Sequence, residues 1–206
     1  MLVSTAKRLT GGLSRTSKMP CPSWSTPPSM CKTGALYSTY KNSVCSSCYA
    51  KKGRSAYPRT GRARENRLAK WKLMDAANHN TKWVLAMVTL IHKHKHFRWF
   101  DAGDLYSERM LIDIFAICRA TPGTQHWLPT LERAFVLHNK QHIPDNLCIR
   151  FSSPIIDQAS SSYTFPISKV STQGDVNCPA TSIRSTCEDC RKCWDKNEPI
   201  ITYRKH

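Results

Sequence analysis

The stretch FRWFDAGDLYSERMLIDIFAIC, residues 97–118, decides the fold because it contains one complete strand, turn and helix. Its first four residues predict a buried strand, which runs into a turn at Gly103. Ser107 is a residue type that caps helices, and the apolar positions from Leu111 to Cys118 recur at helical spacing after it. The stretch therefore predicts one β-α unit.

The same unit recurs towards the C-terminus. QHWLP (125–129) and LCIRFSS (147–153) predict two more strands, and SKVST (168–172) predicts a fourth. Thr130 is expected to cap a helix that runs to about His138. Strands that alternate with helices form parallel β-α units, whose right-handed crossovers place the strands in one sheet. We therefore expect an α/β fold, with a small parallel β/α sheet or a partial barrel.

The chain of 206 residues is predicted to be a single domain, 1–206, with its β/α core at 65–172. Residues 1–64 are rich in Ser, Pro, Gly, Thr and Lys, which predicts a basic, Cys-containing loop region. Residues 173–206 predict an irregular, Cys-rich tail. The longest apolar run, at 83–91, is too short to cross a bilayer, and the N-terminus lacks an apolar signal region. We expect a cytoplasmic protein that does not contact a membrane.

The net charge of +17 is confined to the first half of the chain. Residues 1–100 carry 19 Lys and Arg against 2 Asp and Glu, whereas residues 101–206 carry 12 of each. The densest basic run lies at 50–67. Such a run attracts nucleic acid or another anionic partner, or it forms a solvated surface that keeps the protein soluble.

The ten cysteines favour metal or redox use over a disulfide scaffold, because the chain is large and is predicted to be cytoplasmic. Two of them, Cys118 and Cys148, are predicted to be small core residues, and the role of Cys21 stays open. CxxC pairs allow two thiolates to face one ion. Seven cysteines are candidate metal ligands: Cys31, Cys45, Cys48, Cys178, Cys187, Cys190 and Cys193.

Thiolates suit iron–sulfur clusters and zinc. The CxxCxxC run at 187–193 is typical of clusters and favours iron, most simply as [4Fe-4S]. Three thiolates leave one iron of such a cluster open, whereas four saturate it. The N-terminal three would then make an open site and the C-terminal four a closed one, or the two groups would share ligands.

Two acidic residues follow the strand at 97–100 and are candidate catalytic residues. Asp101 and Asp104 could serve as paired carboxylates for acid–base chemistry or hold a hard cation. Alternatively, Asp101 pairs with a basic neighbour and Asp104 caps the helix near Ser107. Arg150, in a predicted strand, is expected to meet one of these acids because a lone buried charge is costly.

Seven blocks of this sequence resemble the "gene product eighty-eight" family of phage proteins. They are SKMP (17–20), VCSSCYAKKG (44–53), FRWFDAGD (97–104), HWLPT (126–130), NLCIRFSS (146–153), CPA (178–180) and CEDCRKCWD (187–195). Ala102 and Leu131 replace the family's Ser and Arg within these blocks. The resemblance implies a phage protein in the cytoplasm of a bacterial host.

A looser similarity to radical SAM enzymes rests on three cysteines that precede the β/α units. It implies that Asp104, beside Gly103, holds the amino group of S-adenosylmethionine, and that Tyr49 lies next to the last thiol. The 13 residues between Cys31 and Cys45 depart from the usual CxxxCxxC loop.

The sequence therefore leaves two alternative hypotheses for the function. The first is a phage iron–sulfur protein with a redox, electron-transfer or radical SAM-like role, whose electron partner would be a host redox protein. The alternative is a zinc-stabilised nucleic-acid-binding protein in which the cysteines are structural. Whether the protein is an enzyme stays open.

Overall fold

The computed structural model describes residues 1–160, 164–182 and 186–205. Its described residues form a mixed α/β fold around an open sheet of seven strands. The strands are β1 (Ser14–Arg15), β2 (Pro22–Trp24), β3 (His96–Trp99), β4 (Gln125–Thr130), β5 (Leu147–Ser152), β6 (Ile167–Ser171) and β7 (Ile200–Arg204). Their order in the sheet follows their order in the chain. Strand β1 is antiparallel to β2, and every later pair is parallel.

Helices connect these strands within the described ranges. They are α1 (Val3–Thr10), α2 (Lys32–Tyr37), α3 (Pro58–Ala76), α4 (Asn80–Ile91), α5 (Glu108–Ala120), α6 (Arg133–His138) and α7 (Pro179–Ser182). Short 3-10 helices lie at Pro28–Met30, Tyr49–Lys51, Gly53–Ala56, Lys140–His142 and Lys192–Trp194. No helix in the described part of the chain is long and apolar enough to cross a membrane.

Local sequence signals set several helix ends. Ser107 caps α5, and its hydroxyl accepts a hydrogen bond from the Met110 amide. Pro58 begins α3, where its missing N–H is not needed. Gly11 follows α1 at a φ of 77°, and its N–H donates to the Lys7 carbonyl.

One face of the sheet packs against the helices and forms the main core. Phe97 and Trp99 of β3 point to this face, and buried side chains of α3, α4 and α5 cover them. Trp71 of α3 donates from its indole nitrogen to the Asp113 carboxylate of α5 at 2.9 Å. This burial of large aromatic side chains is the main source of stability of the fold.

The other face of the sheet lies under the C-terminal segment. Arg98 of β3, which alternates with Phe97 and Trp99, points to this face and lies 4.4 Å from the Trp127 ring centroid. Trp127 in turn contacts Trp194 edge-on at 5.4 Å. The cysteine-rich tail therefore packs against this face of the sheet.

The predicted fold class is confirmed, since the sheet is mostly parallel and does not close. Strands β3, β4, β5 and β6 fall where the sequence predicts strands. Cys118 and Cys148 are buried in the core as expected.

The prediction of a loop region over 1–64 was wrong in part. That region contains α1, β1, β2, α2 and the start of α3, and the predicted tail over 173–206 contains β7. The three residues of β2 are too few to show a periodic pattern, and their strand form depends on pairing with β3.

Candidate functional site

Polar side chains meet at the edge of the sheet where β2, β3 and β4 end. Thr26 follows β2, Asp104 follows β3, and Thr130 ends β4. The Thr26 hydroxyl accepts from the Asp104 amide at 3.1 Å, and the Thr130 hydroxyl donates to Asp104 Oδ1 at 2.6 Å. Ligands of proteins with open parallel sheets bind at this edge, so it is the expected location of a functional site.

Asp104 is buried at the centre of this edge. Its Oδ1 also accepts from the Leu105 amide and its Oδ2 from the Leu131 amide, both at 2.8 Å. Burial raises the pKa of Asp104 to about 7, against the opposing effect of these hydrogen bonds. Oδ2 accepts from one described donor, and a carboxylate oxygen can accept two hydrogen bonds.

Gly103 lies in tight contact with the loop after β2. Its φ is 75°, and a Cβ placed on it would lie 2.2 Å from Thr26 Oγ1 and 2.4 Å from the Thr26 carbonyl oxygen. Thr26 therefore occupies the space beside Gly103. A glycine is needed here for this close approach of two strand ends.

Asp101 has a separate set of partners. Ser23 donates to its Oδ1 at 2.7 Å, Ser25 donates to the same oxygen, and Arg64 lies 3.7 Å from Oδ2. Burial alone would raise the pKa of Asp101, but the serine hydroxyls and the guanidiniums of Arg98 and Arg64 outweigh it and lower the pKa. Asp101 thus pairs with basic neighbours, and it binds the loop after β2 to helix α3.

Three thiols lie together beside Asp104. Burial, the Asp104 carboxylate and the thiols of Cys48 and Cys45 raise the pKa of Cys31 to about 12. Burial, Cys48 and Asp104 also raise the pKa of Cys45 to about 11. A Cβ placed on Gly34 would lie 3.1 Å from Cys31 Cβ and 3.5 Å from Cys45 Sγ. We call Cys31, Cys45 and Cys48 the N-terminal thiol group.

A side chain just after β4 and one in the Cys48 loop hold this group in place. The Glu132 carboxylate, just after β4, accepts from the Thr33 amide and hydroxyl at 2.9 Å each. Those bonds fix the start of α2, directly after Cys31. The hydroxyl of Tyr49, next to Cys48, donates to the Asp101 carbonyl.

A second set of thiols lies on the face of the sheet that the tail covers. The Cys178 and Cys190 thiols help burial to raise the pKa of Cys187, and the Cys178 thiol does the same for Cys193. Cys193 Sγ lies 3.4 Å from the Tyr203 hydroxyl of β7. We call Cys178, Cys187, Cys190 and Cys193 the C-terminal thiol group.

Arg150 holds the C-terminal group in place through hydrogen bonds from its guanidinium to main-chain carbonyls. The prediction that Arg150 meets an acid was wrong, because its guanidinium instead donates to five carbonyls, at 2.6 to 3.5 Å. Those carbonyls belong to Cys193, Ile167, Glu198, Lys192 and Asp195. The carbonyl dipoles replace a counter-ion around a fully buried charge.

Thr130 does not cap a helix as predicted. Its hydroxyl donates to Asp104, while α6 begins three residues later at Arg133. The demand of a buried carboxylate for donors explains the difference.

The thiols of each group lie near one another but do not form a complete set of metal ligands. Within 1–160, 164–182 and 186–205, no three His, Cys, Asp or Glu side chains are arranged to hold a metal ion. No disulfide joins cysteines in these ranges either. The raised pKa values of Cys31, Cys45 and Cys193 leave these thiols protonated at neutral pH. They are therefore poor nucleophiles as they stand, and a metal would have to displace their protons.

Glu132 and Arg98 are residues of these sites that the sequence did not reveal. Glu132 could have been found, because it follows a predicted strand just as Asp101 and Asp104 do. The position of Arg98 under the tail depends on contacts across the sheet, for which the sequence carries no signal.

These features define an α/β protein with an open, mostly parallel sheet, polar residues at its carboxyl edge and two groups of thiols. The family model described as Gene product 88 matches residues 2–196, and the chain belongs to that family. The match confirms the resemblance drawn from the sequence blocks. No curated protein and no solved structure matches the chain.

Proposed function

We propose that the protein binds an iron–sulfur cluster, of the [4Fe-4S] type, at the N-terminal thiol group. The observation that carries this proposal is that the Cys31 and Cys45 sulfurs both lie next to Gly34, within 4 Å of a Cβ placed there, at the carboxyl edge of a parallel sheet. Cys48 and Asp104 are close enough to act on the pKa of both thiols. Three thiolates would bind three irons of such a cluster and leave the fourth iron open.

The residue types present are those that such a group needs. Thiolates are the donors that iron–sulfur clusters use, and Gly34 keeps the space between Cys31 and Cys45 free of a side chain. The cluster would supply one-electron chemistry, with a host redox protein as the electron partner. A reducing bacterial cytoplasm would keep the thiols available for it.

Asp104 would determine which kind of ligand binds beside the open iron of the cluster. Its Oδ2 can accept a second hydrogen bond, so it would bind a ligand that carries an ammonium group. S-adenosylmethionine is such a ligand, and Tyr49 borders the same site through its bond to the Asp101 carbonyl. Gly103 would serve this site only by shaping the loop, since Thr26 fills the space beside it.

An anaerobic purification tests the proposal. A brown protein with matched iron and acid-labile sulfide is expected, and Cys45→Ser with Cys48→Ser should remove the cluster of the N-terminal group. Cys148→Ser is the control, because Cys148 is a buried thiol outside both groups. A colourless chain with stoichiometric zinc would refute the iron–sulfur proposal.

The second candidate is a zinc-stabilised protein that binds nucleic acid, and one observation favours it. Five basic side chains just after Cys48 are exposed: Lys51, Lys52, Arg54, Arg59 and Arg62. Arg64 binds this segment to the sheet edge, since it donates to the Ser55 carbonyl at 3.0 Å and lies 3.7 Å from Asp101. A fixed basic surface of this kind suits phosphate groups.

Salt dependence separates the two candidates. Under the second one, single-stranded DNA should bind to a cluster-free preparation, with an affinity that falls steeply with salt. Each of Lys52→Ala and Arg59→Ala should reduce the slope of log affinity against log salt by about 1. Lys140→Ala, at a site far along the chain, is the control. The absence of binding at low salt would dismiss this candidate.

A further inference from the structure

Cys21 lies against the C-terminal thiol group, although 157 positions separate it from Cys178 in the sequence. It comes just before β2, and only 7% of its surface is exposed. It packs with Trp127, Trp194 and the thiol-bearing side chain of Cys193 in one buried cluster.

The residues before Cys21 dock onto the same thiols. The Met19 sulfur lies 3.8 Å from Cys187 Sγ and 3.7 Å from a guanidinium nitrogen of Arg98. The Cys187 amide donates to the Lys18 carbonyl at 2.9 Å. The N-terminal segment and the tail are therefore in contact through both backbone and sulfur atoms.

Two guanidinium groups, those of Arg98 and Arg191, lie near enough to Cys21 to act on its thiol. Burial raises the pKa of Cys21 to about 12 and Cys187 adds to this, whereas Arg98 and Arg191 oppose it. Arg98 is held against the Trp127 ring, so its positive charge stays near the thiols.

Cys148 shows what a structural thiol on the same face looks like. It occupies the strand position paired with Trp127, and only 1% of its surface is exposed. The charged groups that act on its pKa are Arg150, Lys196 and Asp195. It provides a matched control for Cys21.

We propose that Cys21 is a ligand of a second metal centre, in which Cys21 and three thiols of the C-terminal thiol group supply the four sulfur ligands. On binding, the Cys21 thiol releases its proton to solvent and its sulfur bonds to zinc or to an iron of a cluster. A single metal centre would thereby join the segment before β2 to the C-terminal tail. This inference rests on the proposed function only in that thiols of this protein bind metal.

Metal analysis of the full chain tests the inference. Wild type, Cys21→Ser, Cys193→Ser and Cys148→Ser are loaded anaerobically with iron and sulfide, and separately with zinc, and metal per chain is measured. Cys21→Ser and Cys193→Ser should lose the same share of metal, and Cys148→Ser should keep the wild-type content. Circular dichroism confirms that each variant is folded.

The outcomes separate this inference from the proposed function. If Cys193→Ser loses metal and Cys21→Ser does not, Cys21 is a core thiol and the inference is overturned. If wild type binds neither metal, both proposals are overturned.

A second measurement needs no mutation and serves if Cys21→Ser does not fold. Wild-type protein is alkylated in mild urea, with metal or after chelation, and its peptides are identified by mass spectrometry. Metal should protect Cys21 and Cys193 together, and protection of Cys193 alone would overturn the inference.

Discussion

The two thiol groups lie in opposite electrostatic surroundings. The N-terminal group has acidic neighbours, because Asp104 and Glu132 both act on Cys31. The C-terminal group has basic ones, because Arg98 acts on Cys187 and Cys193. Acidic neighbours disfavour thiolates and electron-rich centres, whereas basic neighbours favour them.

The two groups also differ in how the fold supports them. The N-terminal group stands at the carboxyl edge of the sheet, where short loops after β2, β3 and β4 meet. The C-terminal group lies on the sheet face, where Arg150 and Tyr203 bind the tail. The edge position suits a site that must admit a ligand, and the covered position suits a closed centre.

Arg150→Met should have the largest effect, and it should act on one group alone. Arg150 is fully buried and donates to five carbonyls, so its replacement removes all of these hydrogen bonds at once. We expect a loss of about 3 kcal/mol or more in the free energy of unfolding, measured by urea denaturation. Alkylation of Cys187 and Cys193 should become faster, with Cys45 unchanged.

Two variants control for the change at Arg150. Arg150→Lys keeps the charge and should lose less stability, and the exposed Arg62→Met should stay within about 0.5 kcal/mol of wild type. Equal acceleration of alkylation at Cys45 and Cys193 would contradict the separate support of the two groups.

The two acids at the sheet edge should respond to pH with opposite signs. Asp104 has a pKa of about 7 in the folded chain and 3.8 as its ordinary value, so the folded state holds its proton more tightly. In the metal-free chain its contribution is present below about pH 4 and is lost as pH rises to about 7. The upper limit of this loss is about 4 kcal/mol.

Asp104→Asn should therefore flatten the fall in stability between about pH 4 and pH 7, as followed by urea unfolding at several pH values. Asp101 has a lowered pKa, so its contribution is lost as pH falls. Asp101→Asn should flatten the acid side of the profile instead. A profile of Asp104→Asn that matches wild type over the whole range would contradict the assignment.

Gly103→Ala tests how tightly the edge is packed. The new Cβ would clash with Thr26, and alanine is strained at a φ of 75°. We expect a loss of about 2 kcal/mol or more on urea unfolding. Gly61→Ala, inside α3 with nothing within 4 Å, should be neutral or stabilise by up to about 1 kcal/mol. Equal effects of the two changes would show that the close approach at Gly103 is absent.

The sequence predicts the β/α core well because periodic apolar residues carry that information. Strands β3 to β6 and the capped helix α5 show it, and the cysteine spacing marks most thiols of both groups. Strand β2 could not be predicted, since a three-residue strand depends on its neighbour for its hydrogen bonds. The placement of Cys21 and Arg98 could not be predicted either, because contacts across the sheet leave no local pattern.

Arg98→Met should give the smallest effect and the most direct test of the electrostatic contrast. The change removes the positive charge that acts on Cys187 and Cys193 while keeping an apolar stem on the Trp127 ring. In a Cys45→Ser, Cys48→Ser background, a cluster at the C-terminal group should become harder to reduce by on the order of 50 mV. Redox titration followed by visible absorption measures this shift, with the exposed Arg62→Met as control. An unchanged potential would mean that the charge of Arg98 does not affect the reduction potential of the cluster. The two thiol groups would then differ only in their position in the fold.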